Sequence, residues 1–151
     1  MDDRRSTSGN VFMLGSSAII WSSRKQGITA LSSTEVEYVA ATSSACQAVW
    51  LKRLIDNMGY LQDELIEILC DNRLAISITK NPTMHGRTKH MDIRFHFIRG
   101  LVADGKVILK HCRTDEQLAD LFTKPLSVNK HNYFRLMLGV CSFDSRGNVG
   151  E

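Results

Sequence analysis

The sequence lacks the closely spaced cysteine pairs that bind zinc or form a disulfide framework. Its four cysteines, Cys46, Cys70, Cys112 and Cys141, lie far apart, and three of them sit inside apolar segments. Thiols in such positions are typical of a packed core in a reducing compartment. The cysteines therefore predict reduced core thiols in an intracellular protein, cytoplasmic or nuclear.

Long apolar runs are also missing. No stretch reaches the roughly 18 consecutive apolar residues that suggest a membrane-spanning helix, and the N-terminal segment Met1–Arg5 is too polar for a secretory signal. The chain shows neither an internal repeat nor a low-complexity tract. We therefore expect a protein that is not secreted and has no membrane partner.

A strong excess of one charge is absent too. The 19 Lys and Arg residues nearly balance 16 Asp and Glu, so the net charge of +3 is only a weak argument for an acidic partner. With 151 residues, 43% of them hydrophobic, the chain can form one core. We predict a loop over 1–9, a domain over 10–140 and a disordered tail over 141–151.

Apolar periodicity predicts an α/β fold, with helices packed on a mixed β-sheet. Short β-type runs cover 10–14, 18–22, 65–70 and 107–112. Helical spacing follows a cluster of possible caps at residues 32–34 and continues to Gly59. Further helices are predicted over 74–79, between 84 and 105, from Leu118 to Phe122 after a capping box, and over 129–138. In the third helix, Ile93, Phe97 and Leu101 are predicted to form the buried face.

Three carboxylates lie near the predicted starts of helices. Glu37 and Glu35 are about 200° apart around the long helix, so only one can face the protein. Glu37 lies one turn before Ala41 on the apolar stripe and is predicted to point inward. Asp71 follows a nearly continuous apolar run that predicts a buried strand of parallel type. It lies at the strand end where α/β sheets place their sites. Asp120 belongs to the next-to-last predicted helix.

Each of these carboxylates also has a structural explanation. Glu37 could complete a capping box with Thr34, Asp71 could cap the helix that follows it, and Asp120 could be a solvated helix carboxylate. If the three meet, their mutual repulsion requires a counter-ion. Oxygen ligands without paired His or Cys suit Mg²⁺ or Mn²⁺. Two such ions activate water and stabilise the leaving oxygen of a phosphodiester, which is nuclease chemistry.

A basic segment between residues 84 and 99 could contact nucleic-acid phosphates. Such contacts would give salt-dependent affinity with little sequence preference. The alternative is a solvated helix face with ordinary packed histidines. The basic residues are His85, Arg87, Lys89, His90, Arg94, His96 and Arg99.

Six motifs follow one another along the chain. They are Arg4-Arg5-Ser6-Thr7-Ser8-Gly9, Trp21-Ser22-Ser23-Arg24-Lys25-Gln26, Ala30-Leu31-Ser32-Ser33-Thr34-Glu35-Val36-Glu37-Tyr38, Cys70-Asp71-Asn72, Arg87-Thr88-Lys89-His90-Met91-Asp92-Ile93-Arg94 and Gln117-Leu118-Ala119-Asp120-Leu121-Phe122-Thr123-Lys124-Pro125-Leu126. In this order they resemble the ribonuclease H domain at the carboxyl end of copia-type retrotransposon Pol polyproteins. The resemblance covers roughly Asp2 to Val140.

The resemblance implies metal-dependent cleavage of the RNA strand of RNA–DNA hybrids, with four carboxylates and two divalent ions. Glu37, Asp71 and Asp120 match the second, third and fourth carboxylates. The implied partners are the hybrid and an upstream reverse transcriptase domain, in a virus-like particle context. Candidate nucleic-acid contacts are Asn72, Arg87, Lys89, His90 and Arg94, and His111 is a possible product-release residue.

The match departs from the family at its start. The family's first carboxylate lies on a central strand upstream of the stretch matched by Asp2 and Asp3, so neither residue replaces it. We therefore expect a truncated ribonuclease H fold with two unpaired strand edges, marginal stability and little activity alone. The alternative is a non-catalytic nucleic-acid- or protein-binding module derived from that domain.

Overall fold

The computed structural model describes residues 5–27, 32–60, 65–80 and 89–141, and the side chains of residues 89–91 are outside that description. Arg87, the first four residues and most of the predicted C-terminal tail therefore lie outside the described residues. The elements are two strands, a long helix, a strand, two helices, a strand, a 3-10 helix and a last helix. The predicted α/β class is confirmed.

The first two strands form the predicted hairpin, with longer strands than expected. Strand β1, Thr7–Leu14, pairs antiparallel with β2, Ser17–Lys25, and a β-bulge interrupts the register between Phe12 and Met13. The two-residue turn begins at Gly15, whose φ of 61° lies in the left-handed region that glycine adopts without steric cost.

Helix α1, Ser33–Asn57, begins and ends near the predicted signals. The Ser32 hydroxyl accepts a hydrogen bond from the Glu35 backbone N–H at 3.2 Å and so caps the first turn. The buried stripe includes Tyr38, Ala41 and Ala45, and its small alanines let the helix lie close against its neighbours. Gly59, with φ of 87°, follows the last turn.

Strands β3, Ile66–Cys70, and β4, Val107–His111, form a parallel pair in which Cys70 lies opposite His111. The parallel pairing fits the prediction, but complete burial of β3 was wrong. Helices cover only the face that carries Ile68 and Cys70, and Leu69 on the other face is 54% exposed. Helix α2, Arg73–Lys80, follows β3 directly.

In helix α3, Lys89–Ala103, Leu101 is buried as predicted, but the other two residues of the predicted face are not. Phe95, Ile98 and Leu101 are buried, whereas Ile93 is 63% exposed and Phe97 is 43% exposed. The orientation is set by Phe95, whose ring stacks on Tyr38 of α1 with centroids 4.0 Å apart. Periodicity alone does not include this contact with a distant partner.

The next segment is a 3-10 helix, Leu118–Phe122, instead of an α-helix, and α4 spans Val128–Met137. The predicted capping box from Thr114 to Gln117 is not the observed cap, because the Gln117 side chain itself accepts from the Ala119 N–H. Gln117 also donates to the Leu69 carbonyl at 3.2 Å, which ties the 3-10 helix to the end of β3.

The strands form two separate two-stranded sheets in the described part of the chain. Strand patterning predicted one mixed sheet, whereas the two unpaired strand edges that the resemblance implied are observed there. The hydrophobic core lies between α1, α2 and α3 and the β3–β4 sheet. The hairpin sheet contacts the 3-10 helix and α1. None of the described helices is long and apolar enough to cross a membrane.

Candidate metal centre in a groove between two sheets

A groove of about 730 Å³ separates the two sheets. Strand β1 lines one side along its whole length, residues 65–71 line the other, and one face of α1 forms the base. The start of the 3-10 helix lies at the same groove. Because β1 pairs only with β2 and β3 only with β4 in the described residues, each strand has an unpaired edge.

Glu37 lines this groove, as its place on the helical stripe predicts, whereas Glu35 lines a small pocket elsewhere. The helix cap explains why Glu37 is available. Ser32, and not Thr34, is the N-cap residue, and Glu35 stands at the capping-box position relative to it. The capping role considered for Glu37 therefore does not apply.

Asp71 also lines the groove, directly after the last residue of β3. The side chain of the next residue, Asn72, caps α2 by accepting a hydrogen bond from the Ala75 N–H at 3.0 Å. The cap that Asp71 could have supplied is thus supplied by its neighbour. Ligand atoms of Glu37, Cys70 and Asp71 lie within 4.8 Å of one another.

Asp120 reaches the groove from the opposite side and is only 7% exposed, so the solvated interpretation of this carboxylate was wrong. Its Oδ2 lies 2.8 Å from the Lys124 ammonium and 3.8 Å from the Lys130 ammonium. Among the described residues this oxygen makes no hydrogen bond of regular geometry, although it is fully buried. The two contacts are thus ionic contacts without hydrogen-bond alignment.

The electrostatics of the groove are those of crowded carboxylates. Burial raises the pKa of Glu37 above its ordinary 4.5, the charges of Asp71 and Asp120 raise it further, and Lys124 partly offsets them. Burial likewise raises the pKa of the Cys70 thiol to about 11. Cys70 is therefore a neutral thiol near pH 7 and a poor ligand for a hard cation.

The donor set suits a hard divalent cation. Two ligand atoms that share Mg²⁺ or Mn²⁺ are at most about 4.5 Å apart, since each metal–oxygen bond is about 2.1–2.2 Å. The ligand atoms of Glu37, Cys70 and Asp71 lie within 4.8 Å of one another, so a small side-chain rotation is enough to bring the two carboxylates within this distance. The repulsion that raises the pKa of Glu37 is what such a cation would relieve.

Two residues that sequence reasoning did not single out hold the groove together. Gln26 is 6% exposed, and its amide donates to the Ser8 hydroxyl at 2.7 Å and to the Val36 carbonyl at 2.9 Å. It thereby joins the hairpin to the turn of α1 that carries Glu37. Gly9 packs so closely on the 3-10 helix that an added Cβ would lie 2.8 Å from the Ala119 carbonyl oxygen.

Asn72 and Arg94, the predicted nucleic-acid contacts whose side chains the structure describes, do not line the groove. Lys89 and His90 begin α3, with side chains outside the description. Burial raises the pKa of the Cys46 thiol on α1, and the charge of Arg94 partly offsets that effect, so Arg94 lies close to α1. His111 is exposed at the end of β4, opposite Cys70, and thus lies near Asp71 in the sheet.

Together, the fold and the groove define an α/β domain in which acidic side chains from three elements line one groove. Relatives place the chain in a polyprotein context. It is 39% identical to the retrovirus-related Pol polyprotein from transposon TNT 1-94 of Nicotiana tabacum, over 94% of the chain and 11% of the relative. The counterpart from transposon RE1 of Arabidopsis thaliana is 39% identical over 92% of the chain and 10% of that relative.

A more distant relative is the transposon Ty1-JR1 Gag-Pol polyprotein of Saccharomyces cerevisiae, 29% identical over 82% of the chain and 7% of the relative. The chain spans about a tenth of the length of the curated plant relatives. No family model matches the chain, and no solved structure does. The chain is therefore homologous to a region of retrotransposon Pol polyproteins.

Proposed function

We propose that this chain is a ribonuclease H-type domain of a retrotransposon polyprotein, cleaving the RNA strand of RNA–DNA hybrids. The observation that carries the proposal is the convergence of Glu37, Asp71 and Asp120 on one groove. These residues come from three separate parts of the sequence and three elements, and the structural role suggested for each of them by spacing alone does not apply. Homology to Pol polyproteins supplies the matching context.

In this proposal Glu37, Asp71 and Asp120 hold Mg²⁺ or Mn²⁺. Bound ions would activate a water and stabilise the leaving oxygen of the phosphodiester. The chain's own residues would orient the hybrid: the basic N-terminal turn of α3 and Arg94 would contact phosphates, and His111 would lie beside the site for product release. The upstream reverse transcriptase domain of a polyprotein is the proposed partner.

The isolated 151-residue chain is expected to cleave slowly or not at all. Three carboxylates are a sparse ligand set for two ions, and the groove beside Asp71 stays open between two unpaired strand edges. An extended segment bringing one more carboxylate would fill both needs, because it would pair with β1 and β3 and shield the site from water.

The proposal is tested with a labelled RNA–DNA hybrid in Mg²⁺ or Mn²⁺. The chain would be assayed alone and fused behind the segment that precedes the matched region in the Nicotiana tabacum relative. We expect cleavage by the fusion only. Asp71→Asn in the fusion should lower the cleavage rate at least about 100-fold, because a proposed ligand of the cation is removed. Asp104→Asn, at an exposed position after the last turn of α3 and outside the groove, is the matched control and should keep full activity.

A fusion that binds hybrid without metal and never cleaves it would overturn the nuclease proposal in favour of a binding module. Turnover by the chain alone, abolished by Asp71→Asn, would instead overturn only the expected inactivity of the isolated chain.

A further inference from the structure

We infer that Lys124 is a built-in counter-ion of the carboxylate groove and competes with the divalent cation for Asp120. The inference rests on the proposed metal site and deepens it. The Lys124 ammonium lies 2.8 Å from Asp120 Oδ2, and Lys124 lines the same groove as Glu37 and Asp71. The structure thus holds one positive charge against Asp120, close enough to Glu37 to lower the pKa of that carboxyl against the effect of burial.

The two lysines near Asp120 differ in how firmly they are held. Lys130 donates to the Thr114 carbonyl at 3.2 Å and lies 5.0 Å from the centre of the Phe134 ring, so its ammonium is held by groups other than Asp120. The Lys124 ammonium lies closer to Asp120, and its side chain is 47% exposed against 28% for Lys130. Lys124 is therefore the lysine that is free to rotate out toward solvent.

The contact geometry also favours exchange. Asp120 Oδ2 is buried and lies against the two ammonium groups without hydrogen-bond alignment in the described structure. A carboxylate oxygen held by charge alone loses little directional bonding when another cation replaces the ammonium. The Lys124 ammonium would rotate toward solvent, where its side chain is already 47% exposed, if a divalent cation with twice the charge were held at Asp120.

This competition makes metal affinity depend on a residue that is not a ligand. Glu37, Asp71 and Asp120 carry three negative charges, and Lys124 cancels one of them before any metal arrives. Removing the lysine charge should strengthen the attraction for a divalent cation, since two unit charges a few ångströms apart interact strongly in a partly buried site. The same removal should destabilise the metal-free protein, because the carboxylates then repel without a partner.

The test measures Mn²⁺ dissociation constants of the 151-residue chain, using the electron paramagnetic resonance signal of free Mn²⁺. We expect Lys124→Gln to bind Mn²⁺ about tenfold more tightly than the unmodified chain, whereas Lys124→Arg should retain its affinity. Lys106→Gln makes the same change of net charge at a lysine paired with Asp104 outside the groove, and it should change affinity less than about twofold.

Thermal unfolding gives the second readout. Without metal, Lys124→Gln should have a lower Tm than the unmodified chain. Saturating Mn²⁺ should raise the Tm of Lys124→Gln by more than it raises the Tm of the unmodified chain. Suppose that Asp71→Asn abolishes Mn²⁺ binding, but Lys124→Gln binds Mn²⁺ no more tightly than the unmodified chain. That result would overturn the inference and leave the metal site standing. Absence of Asp71-dependent binding in every variant would overturn the metal site and the inference together.

Discussion

The molecule has two halves that are packed very differently. The helical half consists of α1, α2, α3 and the β3–β4 sheet, and the hairpin half consists of the hairpin, the 3-10 helix and α4. The large buried cluster lies wholly in the helical half. Within residues 5–27, which include the hairpin, Trp21 is 57% exposed and Gln26 is the only buried residue. Phe134 of α4 and Leu138 after it are the buried apolar residues in the rest of this half. The hairpin itself is thus held less by apolar burial and more by a few specific contacts.

The candidate site lies across the boundary of these halves. Glu37 and Asp71 belong to the helical half, and Asp120 belongs to the hairpin half. The distances between Asp120 and the other two carboxylates therefore depend on the contacts of Gln26, Gly9 and Gln117 across this boundary more than on the core. A site built in this way can change its ligand geometry without unfolding the core, because local stability differs between regions of one protein.

The largest effect is expected in the core of the helical half. Ile98 is fully buried, so Ile98→Ala should lower the free energy of unfolding by about 2–5 kcal/mol through lost burial and the cavity that remains. Ile93→Ala, on the exposed side of the same helix, should change it by less than about 0.5 kcal/mol. Urea unfolding followed by circular dichroism measures both. The reverse order would restore the face predicted from periodicity and contradict the observed orientation of α3.

The sequence predicted the elements better than their surroundings. The hairpin, α1 and the place of Asp71 after β3 follow from local turn, cap and strand signals. The buried face of α3 depends on Phe95 meeting Tyr38, which is more than fifty positions away in the chain. The split into two sheets depends on which strands meet, which is not a local property, and only the family resemblance implied it through the two unpaired strand edges.

The same limit applies to the candidate site. Helical spacing selected Glu37 over Glu35 because both lie on one element. Lys124 belongs to the motif that runs from Gln117 to Leu126, and its spacing of four residues from Asp120 was a usable signal for an ion pair. The link from Gln26 to Val36 joins two elements through a side chain and has no periodic pattern in the sequence.

A smaller and more local effect is expected at the junction. Gln26→Met preserves most of the side-chain volume and removes the hydrogen bonds to Ser8 and Val36, at a cost of about 1–3 kcal/mol. Hydrogen exchange should accelerate at the β1–β2 amides while the β3–β4 amides keep their protection. Ser23→Ala, at an exposed position of β2, is the control and should leave both sheets unchanged. Equal acceleration in both sheets would mean that the halves unfold as one unit.

The smallest effect is expected at the boundary itself, and its sign is a gain. The pKa of Glu37 is raised by burial and by Asp71 and Asp120, so the folded protein pays a free-energy cost to keep this residue charged. Between the unfolded and folded pKa values the folded state binds more protons, and stability falls as pH rises. The cost is complete above the folded pKa and absent below the ordinary value of 4.5.

Glu37→Gln should therefore stabilise the metal-free chain at pH 7, by about 0.5–1 kcal/mol for a partly exposed charge, and the gain should vanish in acid. Glu35→Gln tests the same substitution outside the groove. Because Glu35 lies in the first turn of α1, where the helix dipole favours negative charge, its replacement should be neutral or slightly destabilising. Unfolding curves at pH 7 and pH 4 measure both variants. A gain for Glu37→Gln that persists unchanged in acid would show that charge repulsion at the boundary is not its source.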